Sequence, residues 1–204
     1  MPPLSPDQLD WKKDGGLVPA IVQDADTLQV LMLGYMNAAA LEQTLATRRV
    51  TFFSRSKNRL WTKGETSGHF LDFVDATVDC DNDALLIKAR PNGPTCHRGT
   101  TSCFGDGGAS GAGFLAHLDR IVAERLASGD EKSYTARLAR EGVARIAQKV
   151  GEEGVEAALA AVTGTDEQFA GEAADLLYHL IVLLRVKKLT LADAIAVLEK
   201  RHAK

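Results

Sequence analysis

The placement of proline and one run of glycines divide this chain before any other feature is weighed. All six prolines (Pro2, Pro3, Pro6, Pro19, Pro91 and Pro94) fall in the first 94 of 204 residues, as do both tryptophans. Beyond Gly113 there is no proline, and Ala, Leu, Glu and Arg dominate. A proline in a helix interior costs about 3 kcal/mol relative to alanine, so the second half reads as nearly all helix. Between the halves, residues 105–113 hold five glycines in nine positions, the composition of a flexible linker. The expected organisation is a strand-rich α+β metal-binding domain over 1–105, a Gly-rich linker over 106–113, and an all-α helical bundle over 114–204.

Bulk composition excludes several classes. At 45% hydrophobic and 25% charged residues the chain is neither disordered nor collagen-like. A net charge of −3 predicts no nucleic-acid partner and no anionic membrane surface. No apolar run approaches the roughly 18 residues of a membrane span. The opening MPPLSPDQLDWKKDGG lacks the apolar core of a signal peptide, so the expected location is the cytoplasm.

Local patterns supply the elements. Residues 28–32, 50–54, 60–63, 70–80 and 84–89 carry β-branched and aromatic side chains bounded by turn formers, and read as strands. One helix, 38–47, follows Asn37 as its N-cap, and Pro91-Asn-Gly-Pro94 turns the chain. The second half offers four or five helices, with starts at Ser133, at Thr165 with Gln168 as a capping box, and at Thr190 with Asp193.

Residues 79–83, Asp-Cys-Asp-Asn-Asp, concentrate chemistry. If the preceding strand continues through them, Asp79, Asp81 and Asp83 share one face and Cys80 takes the other. Two such charges about 4 Å apart repel by about 4 kcal/mol at an effective dielectric of 20. A hard cation, Mg²⁺ or Ca²⁺, would remove that penalty; a solvated acidic turn is the alternative. Cys80, Cys96 and Cys103 make an odd count that argues against a disulfide framework, and they contain no CxxC pair. They are soft donors suited to zinc, with a fourth position left for water or His97; otherwise they are three inert buried thiols. An open position is what a catalytic zinc needs, because it lowers the pKa of bound water from about 15.7 to about 7.

The stretch 79–83 together with Cys96-His-Arg-Gly-Thr-Thr-Ser-Cys-Phe104 resembles the phosphoribosyl-AMP cyclohydrolases of histidine biosynthesis. Residues 17–24, 30–37 and 53–69 extend the resemblance, which runs over 9–105. Gly34 stands where that family more often has alanine, and Arg98 where it often has threonine. The resemblance implies zinc-dependent opening of the adenine ring of phosphoribosyl-AMP between N1 and C6. It implies Cys80, Cys96 and Cys103 as zinc ligands, and Asp79, Asp81 and Asp83 as Mg²⁺ ligands. Each zinc site would be shared between the subunits of a homodimer, Cys80 coming from one and Cys96 with Cys103 from the other. His97 is the candidate proton shuttle, or else a group that orients the site. On a strand Trp61, Lys63 and Glu65 would share one face near Arg55, Ser56 and Arg59, an arrangement suited to a base and a phosphate. Arg55, Ser56, Trp61, Lys63, Glu65 and Ser67 are accordingly the candidate substrate contacts; a solvated hairpin is the plainer alternative.

In the helical half, Glu153 with Glu156 and Glu172 with Asp175 place acids three residues apart on two helices. Such pairs are commonly solvated surface, but Asp175 opens an apolar run where an uncompensated charge is expensive. Four acids facing one another between helices would form a divalent-cation cage. The pattern E-x-x-E, fifteen residues, E-x-x-D resembles the MazG-type nucleotide pyrophosphohydrolases. Within that group, residues 132–138 and 148–153 resemble phosphoribosyl-ATP pyrophosphohydrolase over about 114–204. The resemblance implies Mg²⁺-assisted attack of water between the α and β phosphates, with Arg137 and Lys149 as candidate triphosphate contacts. The product of this reaction is the substrate of the first, so the chain as a whole is similar to the bifunctional enzymes of histidine biosynthesis. Two rival readings stand beside it: a zinc-stapled binding protein with a helical dimerisation module, and a general nucleotide-cleansing pyrophosphatase.

Overall fold

A computed structural model describes residues 4–13, 15–105 and 108–203; of the expected linker, Asp106 and Gly107 lie outside the described residues, as do Pro2 and Pro3. The chain divides into two compact units, Met1–Gly113 and Phe114–Lys204.

In the first unit, β1 (Val18–Asp24), β2 (Val30–Met36), α1 (Ala38–Thr47), β3 (Thr51–Ser54), β4 (Arg59–Thr62), β5 (Leu71–Val78) and β6 (Leu85–Pro91) follow in order. A four-stranded sheet has the order β2-β1-β6-β5, and β3 and β4 form a separate two-stranded sheet. The central contact, β1 with β6, is parallel, while β1–β2 and β5–β6 are antiparallel. Period-two burial makes this sheet: Val18, Ala20 and Val22 of β1 and Leu85, Ile87 and Ala89 of β6 point into one core. Phe52, Leu31, Met36 and Leu41 fill that core. Helix α1 begins where Asn37 accepts the Ala40 amide at 2.8 Å and ends at Arg48, which takes a left-handed conformation.

Two expectations need correction. Strand β1 was absent from the expected set, although it is an inner strand; Pro19, which cannot donate to a ladder, weakens its local signal. The strand expected over 70–80 stops at Val78, so residues 79–83 form a turn and not a ladder. Asp79 Oδ1 accepts the amides of Asp83 and Ala84, each at 3.0 Å, and Asn82 has φ 63°. An aspartate that bonds its own following backbone reverses the chain in preference to extending it.

The second unit is helical: α2 (Gly113–Ser128, whose first residue closes the first unit), α3 (Tyr134–Glu141), α4 (Val143–Thr163), α5 (Asp166–Val186) and α6 (Leu191–His202). Ser133, Thr165 and Thr190 cap α3, α5 and α6, the latter two with reciprocal boxes through Gln168 and Asp193. Val122, Leu138, Ile146, Ile181 and Val182 form its core. No helix among the described residues is long and apolar enough to cross a membrane.

Candidate functional site

Beyond β6 the chain folds back on β2. Cys103 donates its amide to the Leu31 carbonyl at 2.8 Å, and the Ser102 hydroxyl donates to that of Val30, also at 2.8 Å. The loop closes on itself through Cys96 N–H to Thr100 and Gly99 N–H to Cys96, both at 3.0 Å. This stitching brings Cys96 and Cys103 to one cavity wall. The Arg98 amide and then the Thr100 hydroxyl hold the Cys96 thiol below its ordinary range. Cys103 keeps an exposed edge, yet loss of surrounding water, and then Cys96 beside it, push its thiol up.

Both cysteines line a cavity of about 570 Å³ with Met32, Trp61, Lys63, Ser67, His69, Thr95 and His97. His97 Nδ1 lies 3.9 Å from the Cys96 sulfur. A second cavity, of about 610 Å³, shares Met32 and Trp61 with the first and holds Arg55, Ser56 and Tyr35. The Arg55 guanidinium stacks 3.8 Å from the centre of the Tyr35 ring, and Trp61 stacks on Phe52 at 5.7 Å. Trp61, Lys63 and Glu65 do not share a strand face, because β4 ends at Thr62 and the chain turns. Lys63 is buried, and its ammonium donates to the His69 carbonyl at 3.1 Å. Glu65 is engaged by the Arg59 guanidinium, which holds its carboxyl below the ordinary range.

Cys80 is exposed in the β5–β6 turn, and its sulfur does not join those of Cys96 and Cys103 within one chain. Its neighbours do converge: one carboxylate oxygen each of Asp79, Asp81 and Asp83 lies within 4.8 Å of the others. Lys13 already answers that charge, with its ammonium 2.5 Å from both Asp81 and Asp83. Its hydrogen bond to Asp81 is the main cause that lowers the Asp81 pKa.

In the helical unit, carboxylate oxygens of Glu153, Glu156 and Glu172 lie within 4.8 Å of one another. Asp175 is exposed and stands outside the group, so three of the four expected acids meet. Lys149 reaches Glu153 at 2.8 Å and Glu152 at 2.9 Å, which keeps Glu153 below the ordinary carboxylate range. Glu156, exposed at its rim, is pushed above it by partial loss of water and then by the charges of Glu153 and Glu172. Arg137 lies over the Tyr134 ring at 5.4 Å.

Lys13, His69 and Tyr134 were not singled out from the sequence, and His179 was noted only as sharing the helix face of Asp175. His179 is buried; its Nδ1 donates to the Asp175 carbonyl at 2.9 Å and lies 3.7 Å from Glu153, while its Nε2 pairs with the Tyr134 hydroxyl at 3.1 Å. Its position one helical turn after Asp175 was the available signal. Lys13 offered none, lying 68 residues from Asp81.

Residues 32–105 match the family described as phosphoribosyl-AMP cyclohydrolase, and residues 115–202 match phosphoribosyl-ATP pyrophosphohydrolase. The histidine biosynthesis bifunctional protein HisIE of Xylella fastidiosa (strain Temecula1) is 62% identical over 194 residues, covering 95% of this chain and 93% of that protein. The protein of the same name from Xanthomonas campestris is 60% identical over 196 residues, with 96% and 94% covered. That of Escherichia coli K12 is 56% identical over 195 residues, with 96% of each chain covered. With both halves matched in order and the relatives aligned nearly end to end, the chain belongs to the family of bifunctional histidine-biosynthesis enzymes that join a phosphoribosyl-AMP cyclohydrolase to a phosphoribosyl-ATP pyrophosphohydrolase.

Proposed function

We propose that the two units act in sequence on one nucleotide, the helical unit hydrolysing phosphoribosyl-ATP to phosphoribosyl-AMP and pyrophosphate and the strand-rich unit opening the adenine ring of that product. Membership of the family carries both hydrolase activities; the assignment of residues is our reading. The observation that carries it is the cavity in which Cys96, Cys103 and His97 meet Trp61.

The donor sets fit the implied metals. Cys96 and Cys103 form two-thirds of a soft site, completed in a homodimer by Cys80 of the partner subunit. Bound there, zinc would supply hydroxide at neutral pH for attack at C6. Trp61 offers its face to the base, and His97 is placed to carry a proton to the ring nitrogen. Arg55, Ser56 and Ser67 line the adjoining walls for ribose and phosphate; Glu65, tied to Arg59, shapes the turn that presents them. Asp79, Asp81 and Asp83 form an all-oxygen cluster suited to Mg²⁺.

Glu153, Glu156 and Glu172 form a second hard-donor cluster between two helices of a MazG-like bundle, with Asp175 one turn further on and outside it. Mg²⁺ there would neutralise phosphate charge and orient water. Lys149 and Arg137 lie close enough to the acids and to Tyr134 to receive the triphosphate. The helical unit also exposes Val155, Leu159 and Val162 along one stripe of α4, which supports a dimer of this unit as well. A cytoplasmic location agrees with these nucleotide substrates.

The test is one reaction with phosphoribosyl-ATP, Mg²⁺ and Zn²⁺. Wild type should yield the ring-opened product, Cys103→Ala should stall at phosphoribosyl-AMP, and Glu153→Ala should leave the substrate intact. Full turnover by Cys103→Ala would overturn the zinc assignment. Ready hydrolysis of ordinary nucleoside triphosphates would favour a general pyrophosphatase.

A further inference from the structure

Glu153, Glu156 and Glu172 suit one end of phosphoribosyl-ATP, the triphosphate. A substrate anchored there has a second anionic end, the phosphate of its added phosphoribosyl group, which ATP lacks. Discriminating it from ATP requires a contact with that added group.

A cavity of about 300 Å³ lies where α2 leads into α3, lined by Arg125, Ser128, Asp130, Lys132, Ser133 and Tyr134. The loop that forms it is fixed by its own hydrogen bonds. The Ser128 hydroxyl donates to the Arg125 carbonyl at 3.0 Å, and Asp130 Oδ1 accepts the Lys132 amide at 2.9 Å. The Ser133 amide donates to the Asp130 carbonyl at 3.1 Å. Asp130 is thus engaged with the backbone of its own loop. The exposed side chains of Arg125 and Lys132 have no carboxylate partner among the described residues. Two such cations with the Ser133 hydroxyl beside them suit a phosphate monoester.

One wall joins this cavity to the acidic cluster. Tyr134, on that wall, pairs its hydroxyl with Nε2 of the buried His179 at 3.1 Å, and Nδ1 of the same imidazole is 3.7 Å from Glu153. Tyr134 is held in place by stacking on Tyr178, whose hydroxyl pairs with Thr135 at 2.8 Å. A single imidazole therefore separates the cavity wall from a carboxylate of the cluster, so one nucleotide can reach both.

We infer that this cavity binds the phosphate of the phosphoribosyl group, with Arg125 and Lys132 as its cationic contacts, and so selects phosphoribosyl-ATP over ATP. The inference rests on the proposed pyrophosphohydrolase reaction at Glu153, Glu156 and Glu172. The distal phosphate takes no part in the bond broken between the α and β phosphates. Its contacts therefore hold substrate and transition state alike, and their loss raises KM more than it lowers kcat.

The experiment measures pyrophosphate release by the full-length chain from three nucleotides: phosphoribosyl-ATP, ribosyl-ATP (the same molecule without the distal phosphate) and ATP. Wild type is compared with Arg125→Gln combined with Lys132→Gln, its fold checked by circular dichroism. In wild type, loss of the distal phosphate should raise KM by about tenfold to a hundredfold. The double variant should show a rise of the same size for phosphoribosyl-ATP and the wild-type KM for ribosyl-ATP. Equal KM for the two ribosylated nucleotides in wild type, a comparison that needs no substitution, would overturn the inference. A variant whose KM rises equally for both would assign the two cations to the triphosphate and overturn it too. So would a variant unchanged on phosphoribosyl-ATP. If wild type hydrolyses ATP as readily as phosphoribosyl-ATP, the proposed reaction itself falls, and this inference with it.

Discussion

Arg185 grips Asp119 with two parallel hydrogen bonds, Nε to Oδ1 at 2.6 Å and Nη2 to Oδ2 at 2.7 Å, and so ties α5 to α2. Asp119 is 6% exposed and also receives the amide of Leu191, the first residue of α6, at 3.4 Å. Paired, the two charges satisfy each other; separated, the guanidinium is left partly buried without its acceptor. Asp119→Ala should therefore destabilise the helical unit by about 3 kcal/mol, measured by urea unfolding. Asp119→Leu combined with Arg185→Met should cost clearly less than the sum of the single changes. Additive losses would show that the pair is not coupled.

Gly34 is held to glycine by Phe52. A Cβ on residue 34 would stand 2.4 Å from Cδ1 of that ring, which is fully buried and stacked on Trp61. Alanine at this position is thus incompatible with this core as packed. Gly34→Ala should cost about 1–3 kcal/mol in the strand-rich unit. Adding Phe52→Leu should recover part of the loss, as a thermal melt of the double variant would show. Stability equal to wild type in Gly34→Ala alone would refute the steric account.

What was legible in the chain was mostly local. Helix starts at Ser133, Thr165 and Thr190 follow from side chains that bond amides three residues away, so the local pattern suffices to find them. The acidic pairs of α4 and α5 were readable from helical spacing, although which of the four acids meet depends on how the two helices pack. Less local features were not readable. The aspartates of residues 79–83 converge through a turn built on Asp79 and Asn82, where alternation suggested a strand. Lys63 was grouped with Trp61 and Glu65 by the same alternation, which fails once β4 ends at Thr62. The pairing of Lys13 with Asp81 and that of Arg185 with Asp119 each join positions more than sixty residues apart, with no motif to announce them.

Gly93 packs directly against the imidazole of His69, on the wall of the cysteine cavity. A Cβ there would stand 2.3 Å from Nδ1, and the residue has φ +96°, a conformation that costs an L-residue about 1–2 kcal/mol. Gly93→Ala should displace His69 and lower cyclohydrolase turnover by roughly tenfold to a hundredfold. Pyrophosphohydrolase activity, housed in the other unit, should be unchanged. Loss of both activities together would point to global unfolding instead.

Glu156 makes the acidic cluster of the helical unit sensitive to pH. Loss of water, then the charges of Glu153 and Glu172, raise its carboxyl above the ordinary glutamate value. A group whose folded pKa is raised takes up a proton more readily folded than unfolded, so its charge costs stability above the folded value. That cost shrinks as pH falls through the folded pKa and is gone below the unfolded one. In metal-free protein, Glu156→Gln should therefore raise the melting temperature at neutral pH and leave it unchanged once the acids are protonated. Mg²⁺ binding to the wild-type cluster should remove the same repulsion, so saturating Mg²⁺ should erase or reverse the advantage of the variant. Melts of EDTA-treated wild type and Glu156→Gln, at neutral and acidic pH with and without Mg²⁺, read all of these effects. A variant less stable than wild type in the metal-free neutral sample would show that the three carboxylates do not repel one another in the folded chain.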